Sequence, residues 1–382
     1  MPSTQLRQSV LVATRRLVVK LGTQVLRGRD GELDLAFLDA IADQVHALRQ
    51  RGVQVTLVSS GAVGAGCKTL DLARRPTDVA ALQAVAAVGQ PRLMAHMRDA
   101  FARHGIVTAQ LLLTRGDFDD RDRFLNLRNC VAHLHDLGCL PIINENDTVA
   151  VEELRFGDND MLAAMMCNAL RADTMVLLTM ADGLLDGDGR KIELVEDILT
   201  TIGQARQHDT GKSAWGTGGI VAKLDAVRLV VEAGELAVIA HGREADVLTR
   251  LLAGEKLGTV FVPAPRKLDS RQRWIALTKR PAGTVTIDDG AVSAVTQKGK
   301  SLLAGGIVEV TGRFERGEVL MVRDAAGKEI ARGLSNYSDA EIRLIQGKRS
   351  SQFEKLLGRP AYAEVIHRDN LVVLGRDSGD VR

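Results

Sequence analysis

The sequence predicts an α/β sandwich built around a mainly parallel sheet, followed by a small mainly-β domain. Three observations carry this. Up to about residue 260, short and near-continuous apolar runs alternate with stretches of helical periodicity. Strands that are apolar along their whole length are buried on both faces, as in parallel sheets covered by helices. A proline-rich, basic connector, Pro263-Ala264-Pro265-Arg266-Lys267, then interrupts the pattern. Beyond Pro281 the runs are short and separated by Gly and Asp turns, as in a compact β domain. The expected domains are residues 14–263 and 282–368, joined by a linker over 264–281.

Taken in order, residues 17–20 read as a strand ending at Gly22. Asp34 caps a helix whose apolar Leu35, Leu38, Ile41, Val45 and Leu48 recur three and four apart, and Gly52 ends it. Residues 53–58 form the next strand and run into Ser59-Ser60-Gly61-Ala62-Val63-Gly64-Ala65-Gly66. Residues 77–103 read as helical, with Pro91 expected to break or kink them. Further strands are expected at 106–113, 139–143, 175–179, 236–240 and 259–262. Helices are expected over 121–137 and 161–170, and from the Gly216 loop to about residue 233. The C-terminal strands are expected at 283–287, 306–311, 319–323 and 329–335.

The chain has 382 residues, with 50 Lys and Arg against 48 Asp and Glu, a formal net charge of +2. That balance argues against a basic nucleic-acid scaffold and against an acidic tail protein. Apolar residues make up 45% and aromatics only 3%, so the core is aliphatic and extensive base stacking is not expected. No apolar run approaches the ~18 residues of a membrane helix. The Val10-Leu11-Val12-Ala13 patch is too short for a signal peptide and is followed by Arg15 and Arg16. Cys67, Cys130, Cys139 and Cys167 form no CxxC pair, and the eight histidines form no HxxxH pattern. Reduced thiols in a cytoplasmic protein without a structural metal are expected.

Five motifs carry the chemistry. Val18-Val19-Lys20-Leu21-Gly22-Thr23 puts a lysine at the carboxyl end of a buried strand, where α/β sheets bind ligands. Its ammonium can meet phosphate oxygens, and the Gly22 amide can approach them with no Cβ in the way. Taken alone, a lysine snorkelling to solvent explains the motif at least as well. The 59–66 loop opens a helix and can cradle an anion. Its G-x-x-G-x-G spacing differs from the G-x-G-x-x-G of dinucleotide folds, and the region about twenty residues on is helical. A tight helix–sheet turn stays open as the role of Gly64 and Gly66.

Asn144-Glu145-Asn146-Asp147 directly follows a strand, and Gly157-Asp158-Asn159-Asp160 opens a helix. Dense polar clusters at sheet ends are costly unless they bind something. Asp147 can hold an ammonium, Asn146 and Asn159 a carboxylate or an amine, and Asp158 can cap its helix. Gly216-Thr217-Gly218-Gly219-Ile220-Val221-Ala222-Lys223 leads into a helix, with Lys223 one turn in. It is not a Walker A loop. Nearby Gly211-Lys212-Ser213 is a decoy, because Arg206 occupies the first glycine position and no strand precedes it. Two distant lysines, two glycine loops and an acid cluster suit phosphoryl transfer, which is mostly positioning and charge neutralisation. No Ser/His/Asp or Cys/His spacing favours acyl transfer.

As an ordered set, these residues resemble the glutamate 5-kinase family of the amino acid kinase superfamily, over nearly the whole chain from about Leu17. The resemblance rests on VVKLGT, SSGAVGAG, LLLTRGDFDDRDRFLN (111–126), PIINENDTV (141–149), GDND and GTGG…K. The C-terminal part, with Gly317-Glu318-Val319 and Val365-Ile366-His367-Arg368-Asp369, is similar to a PUA domain. The resemblance implies an amino acid kinase-like αβα sandwich. It implies ATP-dependent phosphorylation of the L-glutamate γ-carboxylate to γ-glutamyl phosphate, the first step of proline synthesis. It implies that Lys20 and Lys223 stabilise the transferring group and that Asp160 orients them. Ser60, Asp147 and Asn159 are implied in glutamate binding, with Gly61, Asn144 and Asn146 beside them. Gly22 and Gly61 are implied to offer amides to phosphoryl oxygens. Thr179, Met180, Thr217, Gly218, Gly219, Ile220, Val221, Ala222 and Lys223 are implied in nucleotide binding, with Lys20 and Gly22. Mg²⁺ is implied as a bridge between nucleotide phosphates with few protein ligands, and no metal-ligating residue is assigned. The acceptor carboxylate is already anionic at neutral pH, so no general base is needed. A homo-oligomer (dimer or tetramer) and feedback inhibition by proline are also implied.

Three departures from the family pattern fall in the nucleotide half. Met180 stands where Asp is usual, Leu185-Asp186-Gly187-Asp188-Gly189 replaces a Tyr-Thr-x-Asp-Pro segment, and Ala222 stands where Thr is usual. A changed nucleotide affinity or base preference is expected, with glutamate recognition kept. Two alternatives stay open. One is a kinase for aspartate, acetylglutamate, carbamate or a nucleoside monophosphate. The other is RNA binding through the C-terminal domain, but Thr284 to His367 carries 12 basic and 11 acidic residues, a poor footprint for a phosphate backbone.

Overall fold

A computed structural model of the chain describes residues 3–28, 31–150, 159–186, 188–208, 220–263 and 270–374. It divides into two units, Met1–Lys267 and Leu268–Arg382.

The strands of the first unit are β1 (Arg16–Leu21), β2 (Gln54–Val58), β3 (Thr108–Leu113), β4 (Leu140–Glu145), β5 (Thr174–Thr179), β6 (Leu184–Leu185), β7 (Lys191–Ile192), β8 (Leu194–Val195), β9 (Leu236–His241) and β10 (Thr259–Phe261). Eight of them form one sheet in the order β3-β4-β2-β1-β5-β9-β10-β8. Its pairings are parallel except that of β10 with β9, so β10 and β8 run against the rest. β2 lies on one side of β1 and β5 on the other, which opens a crevice at the carboxyl ends of these strands.

Side chains alternate across the sheet. Leu17, Val19 and Leu21 of β1 join one aliphatic cluster with Leu38, Ile41 and Val45 of the Leu35–Gln50 helix and Leu93, Met97 and Phe101 of the Val79–Ala102 helix. By the same alternation Val18 and Lys20 face the opposite layer, where the Asn159–Leu170 helix packs on β1 and the Ile220–Glu232 helix packs on it in turn. Asp34 caps its helix by accepting from the Phe37 N–H at 3.0 Å. The Val79–Ala102 helix runs without a break through Pro91. The expected break does not occur; Leu82, Val85 and Ala86 before the proline and Leu93, Met97 and Phe101 after it are all buried.

Two glycines set how closely the Ala62–Thr69 helix meets the Val79–Ala102 helix. A Cβ on Gly66 would lie 1.9 Å from Val85 O, and one on Gly89 would lie 1.9 Å from Ala62 O. Gly66 therefore serves helix packing rather than an anion cradle, while a Cβ on Gly64 would meet nothing. In an exposed helix Gly→Ala stabilises by about 1 kcal/mol. Here Gly89→Ala is expected to lower the melting temperature instead, because backbone must shift to admit the methyl; calorimetry checks this.

The Ser3–Val12 helix was not anticipated. Its buried Arg7 donates to the carbonyls of Glu193, Glu255, Leu257 and Gly258. In the second unit, β11 (Gly283–Ile287), β12 (Ile307–Gly312), β13 (Val319–Arg323), β14 (Glu329–Leu334) and β15 (Leu371–Val373) form a sheet ordered β12-β11-β13-β14-β15. Its core includes Val285, Leu320, Val322, Tyr337, Ile342 and Phe353. Within the stretch expected to be a linker, Ser270–Arg273 and Trp274–Thr278 are helical. Ile275 and Ala276 there are buried, and the segment packs on β14. Residues 264–269 lie outside the described residues.

Candidate active site

β1 delivers Lys20 to the carboxyl edge of the sheet, on the face of the Asn159–Leu170 helix. Asp160, in the first turn of that helix, is 1% exposed. Lys20 Nζ lies 2.5 Å from Asp160 Oδ1, and Lys223 Nζ lies 3.0 Å from Asp160 Oδ2. Both lysines are buried. Among the described residues two ammoniums thus converge on one carboxylate at the sheet edge, an arrangement suited to take up an incoming anion.

The Gly22 N–H donates to Leu178 O at 3.2 Å. That amide, expected to meet a phosphoryl oxygen, is engaged between β1 and β5. What glycine supplies is clearance, since a Cβ would lie 3.0 Å from the same carbonyl. Gly61 has φ +104°, a left-handed conformation suited to glycine, and caps the Ala62–Thr69 helix; Ser60 before it is buried.

Asn144, at the end of β4, is buried. It accepts from the Glu145 N–H at 2.9 Å and from Asn159 Nδ2 at 2.7 Å, and it donates to Gln90 Oε1 at 2.7 Å. Asn159 Nδ2 also donates to Ser59 O. Asn146 turns the chain out of the sheet: its N–H donates to Leu113 O, and its side chain accepts from Thr148 Oγ1 at 2.6 Å. Burial pushes the Asp147 carboxyl up to about 6, against the opposing pull of Arg75. A carboxylate that is costly to ionise in the empty protein gains most from a cationic ligand. Gln90 is the member of this network that sequence reasoning missed. Its only local signal is a polar residue, just before Pro91, in an Ala- and Val-rich helix.

On the nucleotide side, Thr179 ends β5. Its carbonyl accepts from the Gly242 N–H at 2.7 Å and its hydroxyl from the Ala181 N–H at 3.2 Å. Met180 follows and is exposed. β6 and β7 pair as a hairpin whose stem hangs on Thr259. The Thr259 hydroxyl accepts from the Leu184 N–H at 2.7 Å and donates to Ile192 O. Near the tip, the Asp186 carboxylate accepts from the Asp188 and Arg190 N–H groups. Ile220, Val221 and Ala222 form the first turn of the Lys223 helix and are half-buried. Thr217, Gly218 and Gly219 lie outside the described residues, as do Gly157, Asp158 and Gly187.

Residues 15–241 match the Amino acid kinase family, and residues 283–357 match the PUA domain. The chain is 46% identical to a glutamate 5-kinase of a Cyanothece strain, over 94% of this chain and all of that one. It is 45% identical to a glutamate 5-kinase of Paraburkholderia phytofirmans, over 96% of this chain and all of that one. It is 43% identical to one of a Geobacter strain, over 97% of this chain and all of that one. Among solved structures it is similar to a Giardia carbamate kinase at 16% identity and TM-score 0.47, covering 66% of this chain and all of that one. Near full-length likeness of this kind goes with the convergence of Lys20 and Lys223 on Asp160, and the chain belongs to the glutamate 5-kinase family of amino acid kinases, with a PUA domain at its C-terminal end.

Proposed function

We propose that the chain phosphorylates the γ-carboxylate of L-glutamate with ATP. A γ-carboxylate oxygen bonds to the γ-phosphorus as the bond from that phosphorus to the bridging oxygen breaks. γ-Glutamyl phosphate forms and ADP leaves, which opens proline synthesis. The meeting of Lys20 and Lys223 on Asp160 is the observation that carries this reading. The acid holds the two ammoniums at one point, and they neutralise charge on the transferring oxygens. Asp147 and Asn159 receive the α-ammonium, with Ser60, Gly61, Asn144 and Asn146 around them. Thr179, Met180 and the Thr217–Lys223 segment receive the nucleotide.

Among the described residues no group of three or more His, Cys, Asp or Glu is arranged to hold a metal ion, and both Asp160 oxygens face lysines. From the family resemblance, Mg²⁺ is assigned to the nucleotide phosphates, whose charge it would offset when bound. Proline carries the same α-ammonium and α-carboxylate as glutamate, so feedback through an overlapping pocket is proposed. A homo-oligomer is proposed from the family alone. No helix among the described residues is long and apolar enough to cross a membrane.

Trapping the product with hydroxylamine tests the reading. A hydroxamate that requires both ATP and glutamate is expected. Its absence with glutamate, beside turnover of aspartate, acetylglutamate, carbamate or a nucleoside monophosphate, would assign the chain to another amino acid kinase activity. In the same assay, departures at Met180, Ala222 and residues 185–189 predict an altered nucleotide preference. An ordinary preference for ATP removes that part. Added proline is expected to raise the apparent KM for glutamate without lowering kcat.

A further inference from the structure

An amide side chain can present either an oxygen or an NH₂ group to its neighbour. In this site two main-chain groups settle which. The Glu145 N–H can only donate, and it faces Asn144 Oδ1 at 2.9 Å. The Ser59 carbonyl can only accept, and it faces Asn159 Nδ2. Asn159 directs its second N–H to Asn144 Oδ1 at 2.7 Å. With both hydrogens given to protein acceptors, the group Asn159 can offer a ligand is its Oδ1. Like the Asp147 carboxylate, that oxygen suits an ammonium and disfavours a carboxylate.

Asn144 Nδ2 in turn needs an acceptor, and Gln90 Oε1 provides it at 2.7 Å from a side chain only 8% exposed. The three amides cross the carboxyl edge of the sheet. Gln90 comes from the helix on one face, Asn144 from the end of β4 and Asn159 from the helix on the other face. Gln90 is also held in place along its own helix. A Cβ on the preceding Gly89 would lie 2.2 Å from the Gly66 N and 1.9 Å from Ala62 O, so this turn is pressed against the helix that follows the Ser60–Gly61 turn.

We propose that Gln90 is a positioning residue for substrate recognition. Through Asn144 it holds Asn159 with its oxygen toward the α-ammonium of glutamate. The proposal rests on the glutamate kinase reading. Gln90→Leu keeps bulk and removes the acceptor, leaving a buried Asn144 N–H without a partner. We expect the KM for glutamate to rise about tenfold, while kcat and the KM for ATP stay within about twofold of wild type. Gln90→Glu, which keeps an oxygen toward Asn144, is expected to recover most of the loss. An unchanged glutamate KM in Gln90→Leu overturns the proposal. So do parallel losses in both KM values and kcat, or equal losses in the Leu and Glu variants. If Gln90→Leu does not fold, Gln90→Met, closer to glutamine in shape, carries the same expectation. Failure of the underlying reading is seen separately, as absence of glutamate-dependent hydroxamate from the wild-type protein.

Discussion

Lys20→Met and Lys223→Met are each expected to lower kcat by about 100-fold or more, with the KM for glutamate within a few-fold of wild type. Each variant removes one cation from charge that develops in the transition state, and preorganised groups of this kind are typically worth ~10²–10³ in turnover. Methionine keeps most of the buried stem, so packing is largely preserved. In either variant Asp160 retains one ammonium, so the carboxylate is not left alone in the interior. Asp160→Ala differs in kind. It leaves two buried ammoniums facing each other without their shared acid, and breaking a buried ion pair this way typically costs ~3–5 kcal/mol. Its melting temperature is expected to fall well below that of either lysine variant, alongside the loss of turnover. Full activity in both lysine variants would contradict the assignment of the site. Steady-state kinetics and thermal melts on the same preparations separate the two kinds of effect.

Asp147→Asn is expected to raise the KM for glutamate on the order of 100-fold, because a desolvated ammonium loses its counter-charge. It is also expected to stabilise the empty protein at pH 8. The sign follows from the raised carboxyl, which titrates near 6 in the folded chain instead of near 3.8. The folded state holds this proton more tightly than the unfolded chain does. The stability it contributes is therefore complete below about pH 4 and is lost as pH rises through 6. The asparagine variant escapes that loss, so the two proteins should melt alike near pH 4 and diverge above 6. Binding runs the other way. Below pH 6 the wild-type carboxyl is protonated and cannot pair with an ammonium, so its KM for glutamate should rise as pH falls. A pH-independent difference in melting temperature would remove this role for Asp147.

What could be read from the sequence was what local rules govern. Asp34 caps a helix because of the three residues after it. The β1 lysine lies at a strand end because an apolar run stops beside a glycine. Lys20, Asp160 and Lys223 could be nominated one by one, since each sits in its own short motif. Gln90 could not be, because its meaning depends on Asn144, on a strand the chain reaches only after another strand and two helices. Arg7 was hidden for the same reason: the carbonyls it satisfies belong to residues 193 and 255–258. Gly66 looked like part of an anion loop, and only the crossing of two helices reveals it as a spacer. Pro91 looked like a break or a kink, and the helix runs on through it with buried residues on both sides.

The threonine at the start of β10 bears on how this chain could diverge from its relatives. One hydroxyl, seated in the adjoining strand, suspends both arms of a short ribbon from the main scaffold. Leu184 and Ile192 are thus fixed from a single point of the sheet, so substitutions in the sequence between them leave that anchorage untouched.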